Sequence, residues 1–197
     1  MKKYIVLFLA LLIMTPCLAQ DNLGARPMGM GGAFVGLADD ANAIFSNPAG
    51  IGSQKTESSI IATRVAQGHE YTMLGGVQVT PLGNIGLGYV GSSDPINGAD
   101  ITQDWLGNTP VKYNSQTLYV SYAQELNKVM RVPSNMGALS LGLNVKFSSR
   151  KLATAKGLSV DGGSNVDVDL ASVFRLNDSI SLGANLQNFM TTTTGED

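Results

Sequence analysis

Charge is scarce in this 197-residue sequence, and so are the side chains that usually carry chemistry. Asp, Glu, Lys and Arg make up 14% of residues, against about a quarter in an ordinary soluble domain. There is one cysteine, Cys17, and one histidine, His69. A lone thiol excludes a disulfide framework and a thiolate metal cluster. His69 follows Gly68 in a turn signal with neither a nucleophile nor a second ligand beside it, so a hydrolytic triad and a histidine metal site both lack parts. Long apolar runs are missing as well: after residue 19 none approaches the ~20 residues of a membrane-spanning helix. The residues therefore point to no enzyme, no cofactor and no metal.

The first 19 residues read as an export signal. Lys2 and Lys3 form a basic start, Tyr4 to Met14 is apolar, and Cys17 and Ala19 supply small residues for cleavage before Gln20. Cys17 is alternatively an acylation site, although Pro16 stands where a lipoprotein signal places a small residue. Losing Lys2 and Lys3 takes the basic count from 13 to 11 against 15 acids, so the formal charge moves from -2 to -4. An acidic chain does not favour a phosphate backbone, and nucleic acid is not an expected partner.

Glycine is abundant, with 23 residues, and the apolar residues alternate. In "GALSLGLNVKFSS", Leu139, Leu141, Leu143, Val145 and Phe147 fall on one side, which suits lipid; Ser140, Gly142, Asn144 and Lys146 fall on the other, which suits water. The same period of two places Tyr71, Met73, Val77 and Val79 together, then Ile85, Leu87 and Tyr89. It continues with Leu118, Val120 and Tyr122, then Val166, Val168, Leu170 and Phe174, and finally Ile180, Leu182 and Leu186. With a weaker strand over 58–65, seven strands are expected, each near the ~9–11 residues of a tilted membrane strand. Tight turns are expected at 80–84 and 176–179. Long polar connections are expected at 92–114 and 148–164, with a shorter one at "QGH" and a longer inner one over 125–136. Short turns on one side and long loops on the other are the habit of outer-membrane barrels. An all-β sandwich in the periplasm shares the short alternating strands. Gly75, Gly76, Gly86, Gly88, Gly142 and Gly183 inside strands argue against it, because strand glycine weakens a packed core.

Several motifs dissolve on inspection. "GLGYVG" at 86–91 has the spacing of a dinucleotide fingerprint, but it sits within a strand signal with no helix after it. "NDS" at Asn177 is a formal glycosylation acceptor better explained as a tight turn. Asp167 and Asp169 share the polar side of one strand, as lumen-facing acids do in a water-filled barrel; cation binding is the sharper alternative. Arg150, Lys151 and Lys156 form a basic outer region, suited equally to lipopolysaccharide phosphates and to plain solvation.

The segment from Gly29 to Gly50, "GMGGAFVGLADDANAIFSNPAG", has a different texture. Gly29, Gly31 and Gly32 are expected to let the backbone approach another surface closely. Ala33, Phe34, Leu37, Ala38, Ala41, Ile44 and Phe45 recur at near-helical spacing, with Asp39 or Asp40 able to cap a short helix. Pro48 bars Asn47 from helical geometry, and Gly50 permits a reversal. With the flanking residues, "ARPMGMGGAFVGLADDANAIFSNPAGI" resembles the amino-terminal signature of the FadL-like outer-membrane proteins, most closely their PorV and PorQ branch. Weaker likeness runs through "TPLGNIGLGY" and "DVDLASVFRLNDSISLGANLQNF". The resemblance implies a hatch over 20–56, with Gly29, Gly31, Gly32, Asp39, Asp40, Asn47, Pro48, Ala49 and Gly50 as its motif. It also implies a barrel of about fourteen strands beginning at residue 57. The implied partners are outer-membrane lipid and lipopolysaccharide, with hydrophobic small molecules as cargo or, alternatively, proteins of type IX secretion. Seven strands are too few to close a single-chain barrel, which uses an even number from about 8 upward. "TTTTGED" at the end is polar. The expectation is that further strands, in a longer chain or in partner chains, complete the wall.

Overall fold

The computed structural model describes residues 24–53, 56–64, 70–96, 111–128, 137–154 and 159–194. The expected signal peptide, Cys17, His69 and Lys156 lie outside the described residues. Seven antiparallel strands form one sheet in sequence order: β1 Glu57–Arg64, β2 Glu70–Thr80, β3 Gly83–Ile96, β4 Val111–Glu125, β5 Ala138–Thr154, β6 Ser159–Arg175 and β7 Ser181–Thr194. Each strand pairs with the next, and β1 and β7 are the edges of an open sheet. Among the described residues there is no second sheet, so the layer that a sandwich requires is absent from them.

The alternation sets the two faces. One carries the in-register rows Leu74–Tyr89–Leu118–Phe147–Val166 and Ile85–Tyr122–Leu143–Leu170–Leu186. Most of these side chains are exposed, Leu118 by 47% and Leu186 by 55%. The opposite face carries Gly86, Gly88, Ser121, Ala123, Gly142, Asn144, Asp169 and Ala171, small or polar and largely covered. The covering layer is the amino-terminal segment: α1 (Ala25–Gly29), a run of turns, α2 (Ala43–Ser46) and a 3-10 helix over Pro48–Ser53. The buried core lies between this segment and the sheet, with Phe34, Ile44, Phe45 and Ile51 meeting Met73, Val77, Tyr119 and Val173. Phe45 and Tyr119 meet edge to face at 5.1 Å, a geometry that adds about 0.5–1.5 kcal/mol beyond burial.

Three expectations are corrected. The apolar side of β2 is turned inward: Met73 and Val77 are buried under the segment while Thr72, Leu74 and Gln78 point outward. The long connections are shorter than expected, because β3 runs to Ile96, β4 starts at Val111, β5 runs to Thr154 and β6 starts at Ser159. Polar residues such as Ser148–Arg150 continue the ladder instead of leaving it, since backbone pairing does not depend on side-chain polarity. The near-helical spacing does not make residues 31–37 helical, which are turns, and the short helix that follows Asp39 and Asp40 covers only Ala43–Ser46. The tight turn at 176–180 forms as read, with Asn177 Oδ1 accepting from the Ser179 and Ile180 N–H groups, both at 2.9 Å.

Candidate functional site

The candidate residues lie in the amino-terminal segment, which sits on the covered face near the starts of β3, β5 and β7. Its first part is tied to itself. The Arg26 guanidinium donates to Asp39 Oδ1 at 2.5 Å and to Asp40 Oδ2 at 3.0 Å, and lies over the Phe34 ring at 5.5 Å. These hydrogen bonds, Asp39's foremost and then Asp40's, raise the Arg26 pKa above its ordinary value, while partial burial works the other way. Asp40 Oδ1 also accepts from the Asn42 N–H at 2.8 Å, so Asp40 caps the turn into α2 while Asp39 serves Arg26.

Asn47 is the pivot. It is fully buried and extended (φ -154°), as Pro48 requires. Its Nδ2 donates to the carbonyls of Val35 at 2.7 Å and Ser172 at 3.2 Å, and its Oδ1 accepts from the Ala49 N–H at 3.1 Å. One side chain thereby ties two turns of the segment to β6. Pro48 and Ala49 open the 3-10 helix, and Ala49 lies on Gly142, where an added Cβ would stand 2.2 Å from the Ala49 nitrogen. Gly50 acts as a contact instead of a reversal: a Cβ there would meet the Ala38 carbonyl oxygen at 2.0 Å.

The close approach expected of the first glycine cluster is therefore found elsewhere. A Cβ at Gly29 or Gly31 would meet nothing within 4 Å. Gly31 and Gly32 instead take positive φ, 62° and 84°, in the turn after α1. Close approach belongs to strand glycines: Gly86 and Gly88 admit Ile44 and Phe45, and Gly183 admits the Val35 carbonyl. Those glycines were visible in the sequence, spaced by two, and their spacing was the available signal.

The sheet holds the segment through side chains that donate to its backbone carbonyls. Asn84 reaches Ile51 at 2.5 Å, Asn144 reaches Ile44 at 2.8 Å, Asn185 reaches Ser46 at 2.6 Å and Ser181 reaches Gly36 at 2.5 Å. A segment with so little regular structure cannot satisfy these carbonyls itself, and the strands do it. Beyond the segment the face is polar. Lys146 Nζ pairs with Asp169 Oδ1 at 2.8 Å and donates to Asn188 Oδ1 at 2.5 Å. The Asn188 N–H donates to the same Asp169 oxygen at 2.8 Å. Asn188 takes φ 53° where β7 slips register against Val168 and Leu170, so the irregularity seats a buried ion pair. With Asn144 Nδ2 also donating to Asp169 Oδ2 at 3.5 Å, Asp169 is engaged by a cation and two amides within the protein. Among the described residues no three His, Cys, Asp or Glu side chains gather as a metal-binding group.

The arrangement can obstruct one face of the sheet and hold the obstruction by main-chain contacts. A scan against protein-family models, a search of curated proteins and a search of solved structures each returned no match to the sequence.

Proposed function

We propose that this chain is a FadL-like outer-membrane β-barrel protein in which the amino-terminal segment plugs a lumen that passes hydrophobic small molecules. The observation that carries the reading is the inside-out distribution of side chains. Leucine, valine and phenylalanine occupy the exposed face, while glycine, serine, asparagine and a buried ion pair occupy the covered one. In water that distribution leaves a broad apolar surface without cover; against acyl chains it is the expected one. No helix among the described residues is long and apolar enough to cross a membrane, so among them a crossing would belong to the strands. The open edges at β1 and β7 call for further strands from a longer chain or from partner chains, since unpaired ladders in hydrocarbon cost several kcal/mol per group.

A second reading, a PorV-like partner of type IX secretion, is favoured by the way the segment is fastened. Bonds from several strands to its carbonyls make a firm seat rather than a free gate. Fractionation tests the barrel: the chain should remain with outer membranes through a carbonate wash, and recovery in the soluble periplasm would remove both readings. A deletion strain separates them, with lost growth on a hydrophobic substrate marking transport and lost export of secreted proteins marking the partner role.

A further inference from the structure

On the covered face, β6 buries a carboxylate that the fold does not employ. Asp167 is 8% exposed, and among the described residues it makes no hydrogen bond and no ion pair. Its oxygens are not sealed off, so a small group can reach them. Lys146 stands opposite it in register, but the Lys146 ammonium is turned to Asp169 Oδ1 at 2.8 Å and Asn188 Oδ1 at 2.5 Å. Arg150, the next cation of β5 on this face, is exposed and stands four residues further along the strand, about 13 Å away. A buried carboxylate without a cation is costly to hold, and no described group supplies one to Asp167. Beyond Asp167 the same face runs through Asn165, Ser148 and Thr117 to Val90, which with Tyr71 packs at the margin of the core. Val90 on β3 lies three strand spacings from β6, about 14 Å. A carboxylate without a partner and an apolar margin thus stand a small molecule's length apart on one face.

We infer that Asp167 is the seat of a protonated amine, and that the molecules passed by the lumen are hydrophobic amines, with the ammonium at Asp167 and the apolar body extended toward Val90 and Tyr71. The inference rests on the reading of segment and sheet as a plugged lumen for hydrophobic small molecules. The surroundings select the class. An ammonium is satisfied by one carboxylate with amide and hydroxyl oxygens nearby, and Asn165 and Thr191 are the polar neighbours of Asp167 on β6 and β7. A calcium ion takes about 6–8 oxygens, whereas both Asp169 oxygens are engaged and no three His, Cys, Asp or Glu side chains gather among the described residues. A carboxylate cargo would meet Asp167 as a like charge, with Lys146 already committed to Asp169. A neutral cargo would leave Asp167 unanswered.

Ligand-observed saturation-transfer NMR of the full chain in nonionic detergent, with protein-free micelles as the reference, tests it. The probes are 4-phenylbutylammonium, 4-phenylbutanol and 4-phenylbutyrate, which share a body and differ in the terminal group. The amine should bind about tenfold more tightly than the alcohol, the scale of one charge-assisted hydrogen bond, and the carboxylate should bind weakest. Asp167→Asn should bring the amine level with the alcohol. Asp161→Asn, on the outward face opposite Lys151, should leave the preference unchanged. Protection of the buried Phe34 and Phe45 from chymotrypsin checks that Asp167→Asn is folded, and the preference of the wild type is measured without any variant. Equal binding of amine and alcohol by the wild type, or a preference that survives Asp167→Asn, would overturn the amine seat while the lumen reading stands. Displacement of the amine by calcium chloride but not by sodium chloride of equal ionic strength would make Asp167 a metal ligand and overturn it too. Absence of saturable binding by all three probes would overturn the lumen reading together with the seat.

Discussion

Replacing Gly142 by Ala is the smallest change that should unseat the amino-terminal segment. The new Cβ would stand 2.2 Å from the Ala49 nitrogen, 2.5 Å from the Pro48 carbonyl carbon and 2.6 Å from the Ala49 Cα. All three atoms are backbone, so no side chain can swing aside. Ordinary contact begins at 3.4 Å, and the 3-10 helix over Pro48–Ser53 must retreat by about 1.2 Å to reach it. Overpacking of this kind costs about 1–3 kcal/mol. A retreat of that size would also stretch the Asn84 bond to Ile51, now 2.5 Å, and the Asn144 bond to Ile44, now 2.8 Å, beyond useful length. Each buried amide or carbonyl left without a partner adds about 1–3 kcal/mol. Phe34 and Phe45 are 1% and 3% exposed, so chymotrypsin cleavage at these residues in the folded protein reports release of the segment. The expectation is rapid cleavage in Gly142→Ala while the strands stay intact. Gly29→Ala is the matched control: nothing lies within 4 Å of its Cβ and its φ is ordinary. It should be silent or stabilising by up to about 1 kcal/mol. Equal protection of the wild type and Gly142→Ala would refute the close approach, and equal exposure by both substitutions would refute its specificity.

Lys146→Met alone should destabilise the protein by about 3–5 kcal/mol in urea titration, because Asp169 would remain buried and charged without its cation. Adding Asp169→Leu should restore most of that loss. On the outward face, Leu87→Lys, at a site 58% exposed, should cost about 2–4 kcal/mol if the residue meets the bilayer interior. A change within about 0.5 kcal/mol, as for ordinary surface sites, would mean that this face meets water. Arg26→Ala should lower thermal stability by no more than about 1 kcal/mol, since the Arg26–Asp39 pair is over 40% exposed on both sides, and the effect should fade in high salt. The raised pKa gives this pair a defined pH sign. Its contribution is complete below the ordinary arginine range and lost only as pH rises through the higher folded value. A stability scan from neutral pH to about pH 10 should therefore show no loss that Arg26→Ala abolishes.

Strand number, order of appearance and the tight turns were legible because period-two alternation and turn chemistry are local properties of the chain. The length of β5 and β6 was not, because Ser148, Ser149 and Arg150 carry no apolar signal and are kept in the ladder by pairing with β4 and β6. The inward turn of β2 was hidden for a related reason: Met73 and Val77 alternate correctly whichever face they serve, and only the position of Phe45 and Ile44 decides between them. The importance of Asn47 and Pro48 could be read from the pair itself, whereas the partners of Asn47 lie far away in sequence. The first glycine cluster misled because glycine answers two demands, positive φ and lack of a Cβ. Gly31 and Gly32 meet the first, Gly142 and Gly183 the second, and sequence does not distinguish them.

The fastening of the segment also orders events in time. Its anchors come from residues synthesised long after it: Ser172 stands 125 residues from Asn47, Asn185 stands 139 from Ser46, and Ser181 stands 145 from Gly36. Closing such loops adds little to the equilibrium cost, which grows only with the logarithm of loop length. It does delay the step, because distant contacts form slowly. Ile51 and Ile44 find Asn84 and Asn144 on β3 and β5, but until β7 has joined the sheet the carbonyls of Gly36 and Ser46 lack Ser181 and Asn185 and must stay hydrated. The segment is thus made before the strands that fasten it, and its full fastening marks the moment at which β7 has arrived.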